Sequence, residues 1–111
     1  MRKMTKRPTH PGHIIKEDYL VPLRVTIKDV AEALGVSRKT LSKIIHERGS
    51  VTPDMALRLS RAFETTPDFW LNLQKNVDLW RAETESDEWK KVKPFPQKAL
   101  HDPDSAPART S

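Results

Sequence analysis

Thr26-Ile27-Lys28-Asp29-Val30-Ala31-Glu32-Ala33-Leu34-Gly35-Val36-Ser37-Arg38-Lys39-Thr40-Leu41-Ser42-Lys43-Ile44-Ile45-His46-Glu47 is the stretch that decides the fold. Its first half carries Ile27, Val30, Ala31 and Leu34 at i, i+3, i+4 and i+7, one apolar face of a helix. Thr26 can cap that helix, and Asp29 three residues on can bond back to the cap. Gly35 ends it, as the residue that tolerates a left-handed stop. Only Val36 separates Gly35 from Ser37, the cap of a next helix expected from Arg38 to about Glu47. Val36 before the cap and Leu41 at the fourth helical position have the spacing of a hydrophobic staple. Leu41, Ile44 and Ile45 should face the core, with Gly49 as the C-terminal stop.

Two short helices joined by a tight glycine turn form the unit that presents its second helix to the major groove of DNA. Here the exposed side of that second helix is basic. Arg38, Lys39, Ser42, Lys43 and His46 recur at three- and four-residue spacings, with no acid before Glu47. Thr40 lies near the helix N-terminus. Arg and Lys suit guanine O6 and N7, and Ser or Thr can take a base or a phosphate. A charged face alone is ordinary on a surface helix; its coincidence with the glycine turn is what points to DNA. The DNA-binding candidates are therefore Thr26, Ser37, Arg38, Lys39, Thr40, Ser42, Lys43 and His46.

Charge outside this unit agrees. Residues 1–50 hold 11 Lys/Arg against 5 Asp/Glu, residues 51–81 hold 4 against 4, and residues 82–111 hold 5 against 6. The net charge of +5 thus sits in the first half, the footprint of a polyanion partner. Residues 1–9 form a basic arm with Arg2, Lys3, Lys6 and Arg7, whose contribution would be counterion release without sequence preference.

Three more helices complete the pattern. The first should start at Pro11, run to about Leu20 and stop at Pro22. Thr52-Pro53-Asp54 and Thr66-Pro67-Asp68 each offer a cap, a first-turn proline and an acid that suits the macrodipole. The fourth helix is expected to bury Met55, Leu59, Ala62 and Phe63. The fifth, to about Arg81, carries Phe69, Trp70, Leu73, Val77 and Trp80 on a broad face, with Phe69 and Leu73 assigned to the core. Leu71 and Leu79 lie off that face. Trp70, Leu71, Leu79 and Trp80 are the candidates for an isologous two-fold interface, because a palindromic operator needs its two recognition helices roughly 34–36 Å apart. Four of the nine prolines fall between Pro94 and Pro107, and residues 96–111 read as disordered. Glu88 to Phe95 is expected to pack back as a short appendage.

The sequence thus implies an all-α protein of five helices: an arm (1–9), a DNA-binding and dimerisation domain (10–82), and a polar, Pro-rich tail (83–111). Other classes find no support. Cysteine is absent, which excludes disulfides and thiolate metal sites. No apolar run approaches the roughly 18 residues of a membrane span, and the basic N-terminus lacks the apolar stretch of a secretory signal, so the cytoplasm is the expected location. There is no glycine-rich phosphate loop, no nucleophile motif and no paired-carboxylate pocket. His10 and His13 have no third ligand nearby and suit surface or capping roles, not zinc. No enzyme activity, cofactor or metal is expected.

Beyond these readings, the chain resembles the HigA-type antitoxins of the Cro/phage-repressor (XRE) helix-turn-helix superfamily over about Arg7 to Ala82. The anchors are Pro8-Thr9-His10-Pro11-Gly12, Val30 to Ser37, Thr52 to Leu59, and above all Pro67-Asp68-Phe69-Trp70-Leu71-Asn72-Leu73-Gln74 followed by Asp78-Leu79-Trp80. The resemblance implies a phage-repressor-like domain and a two-fold dimer on a palindromic operator. It also implies repression of its own operon and neutralisation of a small ribonuclease toxin. A stand-alone dimeric repressor without a toxin is the alternative. His13 replaces an acid usual in the family. Glu64 replaces a common glycine, leaving the turn before Thr65 without its expected left-handed residue.

Overall fold

A computed structural model of the chain describes residues 6–96; Arg2 and Lys3 of the arm, and the tail beyond Pro96, lie outside the described residues. The described chain is helical throughout its folded part and contains no strand. Helix α1 (Pro11–Ile14) passes directly into a π-helical turn (Ile15–Leu20) and then into α2 (Val21–Leu23), forming one continuous rod. Then come α3 (Ile27–Leu34), α4 (Arg38–Ile45), α5 (Pro53–Phe63) and α6 (Pro67–Glu85), with a short 3-10 turn at Glu88–Lys91.

Pro22 does not stop the first rod. A proline inside an α-helix meets the carbonyl four residues back and removes a bond. The wider π-turn avoids this: Val21 N–H reaches Lys16 O, five residues back. The rod ends instead at Arg24, in left-handed backbone at φ 55°.

The core gathers Ile15, Leu34, Leu41, Ile44, Ala56 and Leu59 around Trp70. The Trp70 indole N–H donates to Thr65 Oγ1 at 2.7 Å, so its full burial leaves no orphan donor. Tyr19 stacks on Phe63 with centroids 3.8 Å apart, and Phe69 meets Trp70 edge-on. The buried stripe of α6 is Trp70, Gln74 and Val77: Trp70 and Val77 lie on the face expected, and Gln74 joins them in place of Leu73. Phe69, assigned to the core, is 40% exposed. Leu73 is half-buried against the core, and Ala62 of α5 is exposed, not buried. Trp70 is fully buried and cannot be an interface residue. α6 also runs past Arg81 to Glu85, and Glu88 to Phe95 does not pack back: Trp89, Val92 and Phe95 all face solvent.

Candidate nucleic-acid interface

Both helices of the glycine-turn unit are capped by their own sequence. Thr26 Oγ1 accepts from Asp29 N–H and Asp29 Oδ2 accepts from Thr26 N–H, each at 3.1 Å. These two bonds to Thr26 hold the Asp29 carboxyl below the usual carboxylate range. Gly35 takes φ 73° and closes α3 with N–H bonds to Ala31 O and Glu32 O. Arg58 of α5 reinforces that end: one guanidinium nitrogen donates to Leu34 O at 2.8 Å and Gly35 O at 3.2 Å, while Nε donates to Asp54 at 2.7 Å. The turn that aims α4 is therefore held from a third helix. Nothing in the pattern around Arg58 announced this beyond the i,i+4 spacing to Asp54.

Helix α4 is seated from three sides. Leu41, Ile44 and Ile45 bury its inner face, with Val36 partly buried against the same core. Gly12 of α1 packs directly on its backbone, where an added Cβ would lie 1.9 Å from Ile44 O. Gln74 of α6 holds the loop that follows: its Oε1 accepts from Val51 N–H at 2.8 Å and its Nε2 donates to Asp78 at 2.9 Å. The end of α4 comes earlier than expected, at Ile45. Glu47, not Gly49, takes the left-handed position at φ 63°. Gly49 serves space instead: a Cβ there would stand 3.2 Å from Lys43 Cβ.

On the outer face the expected candidates come together. Arg38, Lys39, Thr40 and Lys43 are exposed, and among the described residues Arg38, Lys39 and Lys43 have no ion-pair partner. Ser37 Oγ accepts from Thr40 N–H at 3.0 Å and donates to Thr40 Oγ1 at 2.8 Å. That bond spends the Ser37 proton and leaves Thr40 with a free O–H to offer a base or phosphate. His46 Nδ1 lies 2.8 Å from Ser42 O and 3.2 Å from Ser42 Oγ. A carbonyl only accepts, so Nδ1 carries the proton in that bond and Nε2 is the ring nitrogen turned away from it. Thr26 stands at the exposed entry of α3. Of the arm, Lys6 is exposed, whereas Arg7 pairs with Glu47 just beyond the end of α4, so the charge of Arg7 is offset within the chain.

His10 was read as a surface or capping residue, and it caps: Nδ1 accepts from Gly12 N–H at 2.9 Å. It is buried, however, and its Nε2 has no partner. Burial pushes its pKa below the usual imidazole value; nearby Arg81 and Arg7 add to that, while Glu47 and the Gly49 backbone oppose it. Among the described residues no cluster of His, Asp or Glu could hold a metal, and no helix is long and apolar enough to cross a membrane.

Comparison with known proteins agrees with this geometry. Residues 16–70 match the helix-turn-helix family model. The chain is 46% identical over 80 residues to an HTH-type transcriptional regulator of Haemophilus influenzae, spanning 72% of this chain and 75% of the relative. It is 43% identical over 96 residues to antitoxin HigA-1 of Vibrio cholerae, spanning 86% and 90%. Among solved structures, antitoxin GraA superposes with a TM-score of 0.76 at 44% identity, covering 81% of this chain and 99% of that one. GraA has also been solved in complex with its operator, where the TM-score is 0.75 at 41% identity over 86% and 98% of the two chains. This chain belongs to the helix-turn-helix family, within its HigA-type antitoxin group.

Proposed function

We propose that this chain is a DNA-binding antitoxin. As a two-fold dimer it binds a palindromic operator, represses its own operon and neutralises a small ribonuclease toxin. The observation that carries the DNA reading is the outer face of α4, where Arg38, Lys39 and Lys43 stand exposed without acidic partners among the described residues. Cations left without internal partners are a favourable match for a phosphate backbone and for guanine edges. The operator complex of GraA supports the same use of the fold. The toxin partner is supported by the relatives named as antitoxins. A second reading, a stand-alone repressor, is favoured by the relative from Haemophilus influenzae, which is named only as a transcriptional regulator.

The test is a mobility-shift titration of the chain on its own upstream region. Combining Arg38→Ala, Lys39→Ala and Lys43→Ala should abolish the preference for that region over random DNA and flatten the salt dependence of what binding is left. Unchanged operator binding by the triple variant would overturn the assignment. Co-expression with the product of an adjacent short reading frame separates the two readings. Relief of growth arrest marks an antitoxin, and no arrest and no complex mark a repressor.

A further inference from the structure

Among the described residues, His10 is the only buried ionisable side chain, at 2% exposure. It stands where the start of α1 meets the end of α4. Its Nδ1 accepts from Gly12 N–H at 2.9 Å, so the Nδ1 lone pair is in use and the neutral ring carries its proton on Nε2. The main chain held by that bond is the one that bears on α4. A Cβ added at Gly12 would lie 1.9 Å from Ile44 O and 2.9 Å from Ile45 Cα. Ile44 O also accepts from Glu47 N–H at 2.9 Å, closing the helix. One imidazole thus fixes the backbone on which the recognition helix rests.

Charged groups face the ring from the arm, from the end of α4 and from α6. The Glu47 carboxylate and the Gly49 backbone favour a protonated ring, whereas Arg81 and Arg7 oppose it. Arg7 pairs with Glu47, and Arg81 donates to Glu47 O at 3.3 Å. His13 of α1 is the other titratable group, lining with Arg7, Thr9 and Glu47 a surface hollow against His10. Burial is the largest influence and settles the balance against the charged ring. A second proton has only Nδ1 to go to. That nitrogen would then point an N–H at the Gly12 N–H, and the cap would be lost. A cation at the start of a helix is unfavourable as well.

We propose that His10 is an acid-sensitive latch on the seat of α4. A proton taken from water at Nδ1 breaks the bond to Gly12 N–H and lets that main chain draw away from Ile44 O. Helix α4 is then released from the orientation in which it binds DNA. The inference rests on the DNA reading given under Proposed function and adds a regulation to it. The seated form holds the ring neutral, while the released form lets it titrate near its ordinary value of 6.5. The released form therefore binds more protons as the pH falls below that value. Operator selects the seated form and acid the released one, so each weakens the other. The inner face of α4, Leu41, Ile44 and Ile45, does not titrate, so the seat loosens while the domain stays folded.

The experiment reads operator affinity by fluorescence anisotropy at pH 7.5 and 5.5, at one ionic strength, in His46→Gln and in His46→Gln combined with His10→Asn. His46 belongs to the outer face of α4, where a charge gained in acid would strengthen DNA binding and mask the latch. Every other titratable group is common to the two proteins. With His10 present, acidification is expected to weaken binding by roughly threefold or more, within the limit of about tenfold per pH unit that one proton sets. With His10→Asn the loss should be less than half as large, and equal losses overturn the latch. The wild type without DNA, titrated by NMR, should show the Gly12 and Ile45 amides moving with the His10 ring at a midpoint below 6.5. A Gly12 amide that moves alone overturns the latch, since the change then stops short of α4. Helicity lost at pH 5.5 by circular dichroism overturns it too, because the domain then unfolds as a whole. A chain that binds no operator at pH 7.5 refutes the DNA reading, and the amide titration still decides the latch.

Discussion

Among the described residues, three other than glycine occupy left-handed backbone: Arg24, Glu47 and Glu64. Glu64 is the instructive one. It ends α5 at φ 54°, with Thr65 N–H bonding back to Ser60 O, in the place where the family commonly has glycine. The expected left-handed turn is therefore made, by a residue with a Cβ that opposes it. That strain is worth about 1–2 kcal/mol in an L-residue, and glycine gives part of it back through unfolded-chain entropy. Glu64→Gly is expected to stabilise the chain by about 0.5–1 kcal/mol net, read from the urea midpoint. A lowered midpoint would show that the turn carries no strain. His10 makes a second prediction at this scale. Its folded pKa lies below 6.5, chiefly through burial, so the unfolded chain binds more protons in the window below that value. Stability is therefore fully present above about pH 6.5 and falls as the pH drops toward the lowered folded pKa. His10→Asn keeps a capping side chain and removes the titration. Its urea midpoint should change less between pH 7.5 and 5.5 than the wild type's, and an equal change in both would assign the pH dependence to other groups.

Elements explain how much of the fold was legible. The α3–α4 unit was read residue by residue because its caps, glycine and staple are local in sequence, and the basic face of α4 followed from its helical period. On α6 the expected face contains Trp70 and Val77 but not Gln74, the third buried residue, which a hydrophobic pattern scores as surface. Its burial is decided by the Val51 N–H that it satisfies, 23 residues away. Arg58 was passed over for the same reason, since its acceptors, Leu34 O and Gly35 O, belong to another helix. Pro22 misled differently: the π-turn is a rare accommodation that spacing does not announce. Arg58→Ala should cost about 1–2 kcal/mol, a charged donor lost from carbonyls at a half-exposed site. It should also weaken operator binding, because the turn that aims α4 loses its outside support. Arg58→Lys should not restore either, since an ammonium on a flexible stem lacks the fork that holds Asp54 and the carbonyls together. A lysine variant indistinguishable from wild type in urea and in mobility shift would count against the tie.

For the whole molecule, the proposed two-fold dimer would have to place two α4 helices on one face of DNA. The outer face of α6, with Leu79 exposed and Leu71 and Trp80 half-buried, is the proposed two-fold surface; Trp70, buried at the centre of the core, supports it only from beneath. Since Leu79 is exposed, Leu79→Glu should leave thermal stability within about 0.5 kcal/mol of wild type, as surface changes do, while yielding a monomer with weakened operator binding. Light scattering that still reports a dimer would move the interface elsewhere. Within each protomer, the mounting of α4 has one further consequence. Gly12 brings bare main chain against Ile44 O, so backbone bears on backbone with no side chain between them. Side chains relax by hopping between rotamers, and a joint made through them inherits that play. A joint without them does not: the height of α4 above its scaffold is set by van der Waals contact between two main chains, which leaves the reading head little play.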